Sequence, residues 1–200
     1  MLYLVGGASR AGKSTLARRL LVERRIPYFS IDILMMGFAN GYPAFGLDPE
    51  TPSEVRGEKL WPILRAMAVN ILEEARAHPT YLLEGDELLP QRVAELMGEY
   101  RGQVRACFLG YTQADPAEKL RAVREVEPDW SDYCPDEQAL AFLAGQVEFS
   151  HWLERECAAH SLRYFDCSED LQGAIDEAFY YLVGSQDRPG ERATMARLRS

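Results

Sequence analysis

Near its amino terminus the sequence reads Gly7-Ala8-Ser9-Arg10-Ala11-Gly12-Lys13-Ser14. This stretch fits the pattern G-x-x-x-x-G-K-[ST], in which glycines let the backbone curl so that several N–H groups point into one small space. The apolar run at residues 2–5 predicts a buried strand before it, and apolar residues at helical spacing predict a helix over residues 13–25 after it. A strand, a glycine-rich turn and a helix in this order are typical of a loop that binds phosphate (P-loop).

Each part of this loop has a defined role in holding a nucleotide phosphate. The following helix directs the positive end of its dipole at the loop amides, and Lys13 adds a charge that can follow a phosphoryl group. The Ser14 hydroxyl is a candidate Mg²⁺ ligand, and Arg10 is a candidate contact to a nucleotide or acceptor phosphate. We therefore predict that the nucleotide contacts Gly7, Ser9, Arg10, Ala11, Gly12, Lys13, Ser14 and Thr15.

The overall composition argues against several classes of partner. The 200 residues carry 22 Lys and Arg against 31 Asp and Glu, which gives a formal net charge of −9. Because nucleic acids and anionic membranes attract clusters of basic residues, an acidic chain without such a cluster is a poor candidate for binding either. Any anionic ligand must therefore be held by a local site that works against the charge of the whole protein.

The sequence also predicts where the protein resides. No apolar run approaches the roughly 20 residues that span a bilayer, and the segment up to Val5 lacks the basic residues of a signal peptide. The four cysteines are far apart, and the three histidines show no zinc-binding spacing. We expect a cytoplasmic protein with reduced thiols and no structural metal.

Short apolar segments alternate with longer helical patterns, which indicates an α/β fold with a mostly parallel sheet. The predicted strands are residues 2–5, 28–31, 81–84, 104–111 and 163–167. The predicted helices are residues 13–25, 54–77, a short one from residue 90, 116–127, 136–160 and a last one that Ser168 caps.

The segment between the second strand and the next predicted helix is less regular. Residues 33–50 contain several Gly and Pro and predict a loop, although they are unusually rich in methionine and aromatic residues. Residues 51–54 read Thr-Pro-Ser-Glu, which predicts a capping box with proline at the first helical position. Pro62 predicts a kink or a break in the helix that follows.

These features resemble the P-loop kinases of small metabolites, the group of nucleoside monophosphate, shikimate and gluconate kinases. The resemblance covers residues 1–183 and rests on the loop, the chain length and the helical segment before the final strand. It implies a three-layer P-loop NTPase fold with a five-stranded parallel sheet flanked by helices. It also implies an acceptor-binding insertion at residues 33–60 and a helical lid at residues 113–135. Residues 184–200, where the apolar pattern fades, are expected to form a flexible tail.

Two acidic strand ends agree with this resemblance. The second strand ends in Ser30-Ile31-Asp32, and many members of the group carry an aspartate there that faces the acceptor hydroxyl. The third strand ends in Leu83-Glu84-Gly85-Asp86, which is similar to uridine kinase-like and 2-phosphoglycerate kinase-like proteins. Because ligands gather at the carboxyl ends of parallel strands, all three acids are candidate acceptor-binding residues.

The resemblance assigns roles to these acids. Asp32 is the candidate for orienting an acceptor hydroxyl and for taking its proton. Glu84 is the candidate for holding Mg²⁺ through water together with Ser14, and Asp86 could exchange roles with Glu84. The alternative for each acid is that it only caps a turn.

The predicted lid carries two arginines, Arg121 and Arg124, which lie three residues apart and so share one helix face. The resemblance implies that a lid arginine closes over the β- and γ-phosphates and neutralises charge in the transition state. The alternative is a solvated helix face with ion pairs to Glu118, Glu125 or Glu127.

The resemblance implies transfer of the γ-phosphoryl group of ATP, with Mg²⁺, to a hydroxyl of a small metabolite. No G-x-P-R signature follows the third strand, and the acidic residues 84–87 would repel a phosphorylated acceptor. A nucleoside monophosphate kinase and a non-kinase P-loop ATPase or nucleotide-binding module remain alternatives. A GTPase is disfavoured because residues 165–168, Phe-Asp-Cys-Ser, do not supply an N-K-x-D motif. The acceptor, the preference for ATP over GTP and the oligomeric state do not follow from the sequence.

Overall fold

Five parallel strands form one sheet in the computed structural model, which describes residues 1–74, 80–126 and 133–184. The strands are β1 (Leu2–Gly7), β2 (Tyr28–Ser30), β3 (Tyr81–Glu84), β4 (Val104–Gly110) and β5 (Arg163–Asp166). Their order across the sheet is β2-β3-β1-β4-β5, and every neighbouring pair is parallel. The predicted five-stranded parallel sheet is confirmed, and each predicted strand is found within a residue or two of its expected bounds.

Seven α-helices flank the sheet in the described part of the chain. They are α1 (Lys13–Arg24), α2 (Ile31–Gly41), α3 (Ser53–Glu73), α4 (Pro90–Glu99), α5 (Pro116–Val126), α6 (Asp136–Ala159) and α7 (Leu171–Val183), and a 3₁₀ turn spans Pro43–Phe45. The predicted three-layer α/β fold is thereby confirmed. None of the described helices is long and apolar enough to cross a membrane.

The central strand β1 determines where the ends of its neighbours lie. All six of its residues are buried, because the strand has a partner on each side and helices pack on the sheet. In the sheet register Val5 pairs with Glu84 of β3, and Gly7 pairs with Leu109 of β4. The P-loop therefore leaves the middle of the sheet directly beside the carboxyl end of β3.

The prediction of a loop over residues 33–50 was wrong for residues 33–41, which belong to α2. The helix forms because Ile31 and Met35 are buried in the core, while Leu34 and Phe38 pack against it at helical spacing. Gly37 and Gly41 do not prevent the helix, because a glycine disfavours a helix by only about 1 kcal/mol. The apolar periodicity of these residues is therefore a stronger signal than their glycines and prolines.

The start of α3 also differs from its prediction. The capping box is absent: Pro52 is the residue before the first helical turn, and no side chain caps that turn. Pro62 lies inside α3 but does not divide it, because the helix is continuous from Ser53 to Glu73. The predicted extension of this helix to residue 77 falls on residues 75–79, which lie outside the described residues.

Two further helix caps can be compared with the sequence. Asp115 accepts hydrogen bonds from the amides of Ala117 and Glu118 at the start of α5, as its position predicts. The cap of α7 is Asp170, which accepts a hydrogen bond from the Gly173 amide at 2.8 Å, so the prediction of Ser168 was wrong.

The four cysteines are free thiols. Residues 127–132 of the predicted lid and residues 185–200 of the predicted tail lie outside the described residues.

Replacing Gly7 by alanine tests how the sheet shapes the loop. Gly7 has a φ of +141°, and a Cβ there would overlap the Leu109 carbonyl oxygen and lie 2.8 Å from the Leu109 nitrogen of β4. We expect Gly7→Ala to lower the free energy of unfolding by about 3 kcal/mol, since a strained φ and a backbone overlap each cost about 1–3 kcal/mol. Urea denaturation measures the loss.

Gly98→Ala is the matched control, because Gly98 lies in α4 with nothing within 4 Å of an added Cβ. This variant should be unchanged or more stable by up to about 1 kcal/mol. Equal stability of the Gly7 and Gly98 variants would show that the backbone of β4 does not constrain the loop.

Candidate active site

The loop between β1 and α1 curls as the motif predicts. Gly7 and Arg10 have positive φ angles of 141° and 64°, and Gly12, at the start of α1, has a φ of 93°. The Ala8 amide donates to the Leu109 carbonyl oxygen at 2.9 Å, and the Ala11 amide donates to the Ala8 carbonyl oxygen at 3.2 Å. No side chain caps α1, and no acidic residue lies in its first turn. The amino end of α1 is therefore left open for an anion.

Two residues that the sequence did not single out hold the outer side of this loop. The Tyr111 hydroxyl, at the end of β4, donates to the Ser9 carbonyl oxygen at 2.7 Å, and Tyr111 is fully buried. The Ser9 amide donates to Oε1 of Gln146 in α6 at 2.8 Å. Both contacts join residues more than a hundred positions apart, so no local sequence pattern indicates them.

Lys13 is buried, with 6% of its surface exposed. Its Nζ lies 2.5 Å from Oδ1 of Asp86 and donates to the Ala8 carbonyl oxygen at 2.8 Å. Burial by itself favours the neutral amine, but the attraction of Asp86, Glu84 and Asp32 prevails and raises the pKa of Lys13 above its usual value. The loop thus holds a protonated lysine beside the carboxyl end of β3.

Glu84 and Ser14 form a pair of oxygen donors next to Lys13. The Ser14 hydroxyl donates to Oε1 of Glu84 at 3.1 Å, and Glu84 is 2% exposed. Burial raises the pKa of Glu84, although Lys13 and hydrogen bonds from Ser30 and Ser14 act in the opposite direction. A buried carboxylate whose charge is incompletely compensated, beside a hydroxyl, fits Mg²⁺, which prefers oxygen ligands.

This pair is not a complete metal cage. Across the described ranges no group of three His, Cys, Asp or Glu side chains is placed to hold a metal ion. Mg²⁺ commonly takes one or two protein ligands and completes its shell with phosphate oxygens and water. The donor set therefore suits Mg²⁺ that arrives with a nucleotide.

Asp32 lies in the first turn of α2, and its side chain is exposed to solvent. Protein atoms nevertheless enclose part of its carboxyl group. This enclosure and the negative charge of Asp86 raise the pKa of Asp32, although Lys13 and Arg56 act in the opposite direction. A raised pKa brings a carboxylate closer to the range in which it accepts a proton effectively. The structure thus brings together Lys13, Asp32, Glu84 and Asp86, the acids and the lysine that the sequence selected.

A cavity of about 890 Å³ opens beside the loop. Ser9 of the loop, Asp32 and Asp86 all line it. The remaining walls come from α2, from residues 49–56 before and within α3, and from residues 138–149 of α6. The predicted insertion at residues 33–60 therefore contributes a wall of this cavity.

Arg56 and Glu87 connect that wall to the end of β3. Nε of Arg56 donates to Oε1 of Glu87 at 3.0 Å, while its other nitrogens donate to the carbonyl oxygens of Pro49 and Thr51 and to the Ser53 hydroxyl. Glu87 is fully buried, and its Oε2 has no hydrogen-bond partner among the described residues. Burial and the nearby charge of Asp86 raise the pKa of Glu87 to about 7. Sequence analysis did not select either residue for this role.

The two predicted lid arginines each have an acidic partner in this structure. Arg121 is exposed and lies 3.7 Å from Glu118, and Arg124 forms an ion pair with Asp136 at 2.9 Å. The pair of Arg121 with Glu118 is one that the alternative of a solvated helix face predicts, whereas the partner of Arg124 lies on α6. Lys119, two residues before Arg121, is oriented toward the site.

Lys119 lies close to the P-loop. Its Nζ is 4.4 Å from the centre of the Tyr111 ring, whose hydroxyl binds Ser9. Burial and repulsion from Arg10 lower the pKa of Lys119, although Cys167 acts in the opposite direction. Helical spacing could not distinguish Lys119 from its arginine neighbours, because the orientation of α5 depends on its packing against α6.

The ionisation of Glu87 should make stability depend on pH. A carboxyl group whose folded pKa of about 7 exceeds its ordinary 4.5 adds stability that is fully present below pH 4.5 and is lost as the pH rises through 7. Between these limits we expect the free energy of unfolding of the wild type, measured relative to Glu87→Gln, to fall by about 3 kcal/mol. Urea denaturation across this pH range measures it.

Glu58→Gln serves as the control for this experiment. A hydrogen bond from Arg92 lowers the pKa of the exposed Glu58, so any pH-dependent difference from the wild type should have the opposite sign and be small. A wild-type stability that stays constant relative to Glu87→Gln, or that rises with pH, would contradict the raised pKa of Glu87.

Several solved structures share this fold. A gluconokinase from Sinorhizobium meliloti 1021 is 17% identical, with a TM-score of 0.58 and 90% of each chain covered. A sugar kinase from Janibacter sp. HTCC2649 is 20% identical, with a TM-score of 0.57 and coverage of 91% of this chain and 94% of that one. A shikimate kinase from Bacteroides thetaiotaomicron is 16% identical, with a TM-score of 0.51 and coverage of 94% and 99%. No protein-family model and no curated protein matches the sequence. The chain therefore has the fold of the P-loop kinases that act on small molecules.

Proposed function

We propose that this protein is a kinase that transfers the γ-phosphoryl group of ATP, with Mg²⁺, to a hydroxyl group of a small metabolite. The observation that carries the proposal is that the P-loop and two strand-end acids open into one cavity, which Ser9, Asp32 and Asp86 all line. A nucleotide on the loop would place its terminal phosphate beside a cavity large enough for a metabolite. The gluconokinase, sugar kinase and shikimate kinase with the same fold support this class of reaction.

The loop supplies the nucleotide site. The amides of residues 12–15 at the amino end of α1 would bind the β- and γ-phosphate oxygens, with Arg10 near the same phosphates. The amides of Ala8, Ser9 and Ala11 already donate to protein oxygens and shape the loop. Lys13 would exchange its contacts with Asp86 and Ala8 for phosphate oxygens. ATP is the proposed nucleotide because it is the usual donor in the group that the sequence resembles.

Ser14 and Glu84 would hold the Mg²⁺ ion, directly or through water. When bound, the ion would supply positive charge that offsets the negative charge of the nucleotide phosphates. Asp86, which contacts Lys13 at 2.5 Å, would keep this lysine in place before the nucleotide binds. Lys13 therefore has an anionic partner both before and after the nucleotide binds.

Asp32 would orient the acceptor and take its proton. In the transfer step the acceptor oxygen bonds to the γ-phosphorus, and the bond from that phosphorus to the β–γ bridging oxygen breaks. The hydroxyl proton passes to the Asp32 carboxylate, and ADP leaves. The raised pKa of Asp32 is consistent with a group that holds this proton transiently.

Lys119 is the lid cation closest to this chemistry. It stacks on Tyr111, whose hydroxyl fixes Ser9, so it would add positive charge near the transferring group. Arg121 and Arg124 would take part only after α5 moves, because their present partners are Glu118 and Asp136.

The four free cysteines fit a cytoplasmic location, where thiols stay reduced and ATP is present.

The variant Asp32→Asn tests the proposed base. It keeps the shape of the side chain but cannot accept the hydroxyl proton, so we expect kcat for ADP release, with an acceptor that the wild type phosphorylates, to fall by about 10²–10⁴-fold. The dissociation constant of Mg²⁺-ATP should change little, because the P-loop is intact. Initial rates in a coupled assay, together with calorimetric titration, measure both quantities.

Glu177→Gln is the control, since Glu177 is exposed on α7, away from the cavity. It makes the same carboxylate-to-amide change and should keep the wild-type kcat. If Asp32→Asn turned over at the wild-type rate, Asp32 would have no part in the mechanism.

A further inference from the structure

The cavity beside the P-loop is strongly acidic. Five carboxylates and a single basic side chain are among the described residues that line it. The carboxylates are those of Asp32, Glu50, Glu54, Asp86 and Glu148, and the basic side chain is that of Arg56. The charge of an acceptor should therefore decide whether it binds here.

Three of these carboxylates form no ion pair with the residues that the structure describes. Asp86 is paired with Lys13, and Asp32 is placed near Lys13 and Arg56. Glu50, Glu54 and Glu148 form no ion pair within residues 1–74, 80–126 and 133–184. Among the described residues they therefore contribute negative potential to the part of the cavity formed by residues 49–56 and α6.

The donors of Arg56 are largely occupied by protein groups, so few of them are available to an incoming ligand. Its guanidinium already donates to the Glu87 carboxylate, to two backbone carbonyl oxygens and to the Ser53 hydroxyl. A carboxylate or phosphate on the acceptor would have to break that arrangement to gain a partner. An acidic acceptor would thus meet repulsion without a compensating contact.

The same cavity also has an apolar surface. Met35 and Met36 of α2 and Phe142 and Phe149 of α6 line it. Met36 is 41% exposed and Phe142 is 37% exposed, so both offer area to a ligand. A ring with one apolar face would contact these side chains while its polar groups meet the acids.

We propose that the acceptor is a cationic amino alcohol, a polyhydroxylated ring that carries a protonated amine. Its reacting hydroxyl meets Asp32, its ammonium group lies among Glu50, Glu54 and Glu148, and its apolar face contacts the methionines and phenylalanines. This inference rests on the proposed kinase function. The hydroxyl oxygen becomes phosphorylated as described above, and the amine keeps its protons and does not react.

Matched acceptors that differ in charge test this proposal. One set is glucosamine, glucose and gluconate, and the other is 2-deoxystreptamine, myo-inositol and quinate, each assayed for ADP release with Mg²⁺-ATP at pH 7. In at least one set we expect kcat/KM to fall from the amine to the neutral compound and again to the acid, by about tenfold at each step.

A triple variant, Glu50→Gln with Glu54→Gln and Glu148→Gln, identifies the source of the preference. It should remove most of the advantage of the amine, so that kcat/KM for the amine approaches kcat/KM for the neutral compound measured with the same variant. Mg²⁺-ATP binding by the variant shows that it is folded, and Glu177→Gln controls for a change of surface charge. A preference that survives in the triple variant would overturn the inference.

The remaining outcomes separate this inference from the proposed function. Faster transfer to the acids than to the amines would overturn the inference and leave the kinase function in place. Transfer to no member of either set, by a protein that binds Mg²⁺-ATP, would likewise overturn the inference. A protein that does not bind Mg²⁺-ATP would overturn the proposed function itself.

Discussion

The contact of Lys13 with Asp86 and the Ala8 carbonyl oxygen is the interaction on which the site depends. An unpaired charge at this depth would cost several kcal/mol, so the lysine, the curled loop and the end of β3 require one another. This contact joins the P-loop to the strand end that carries Glu84. A bound phosphate would replace Asp86 as the partner of Lys13. The position of the Asp86 carboxylate beside Lys13 therefore indicates where the phosphate would bind.

The order of the strands brings the other residues of the site close to this contact. Because β1 lies between β3 and β4, its loop meets Glu84 on one side and Tyr111, just beyond β4, on the other. The strand β2 lies next to β3 and delivers Asp32 through the first turn of α2. A parallel sheet places all these strand ends at one edge, which is where ligands bind in folds of this type.

Much of this arrangement could be predicted from the sequence because its signals are local. The loop motif and the strand-end acids each occupy a few consecutive residues, so their residue types and spacing were enough. By contrast, Gln146 reaches Ser9 across 137 positions, and Lys119 could not be distinguished from Arg121 without the packing of α5. The prediction of a loop in place of α2 was wrong, because burial of Ile31 and Met35 stabilises the helix by more than the two glycines destabilise it. Arg56 and Glu87 were missed because neither fits a motif, although their pairing shapes the cavity.

Calorimetric titration of Mg²⁺-ATP into the wild type, Lys13→Met and Arg18→Met tests the central claim most directly. Arg18 is an exposed cation on α1, so its loss controls for the removal of one positive charge from that helix. If the loop binds nucleotide phosphate, the wild type and the Arg18 variant bind with similar affinity, and the Lys13 variant binds at least about tenfold more weakly. No binding by the wild type, or equal binding by the Lys13 variant, would contradict the account.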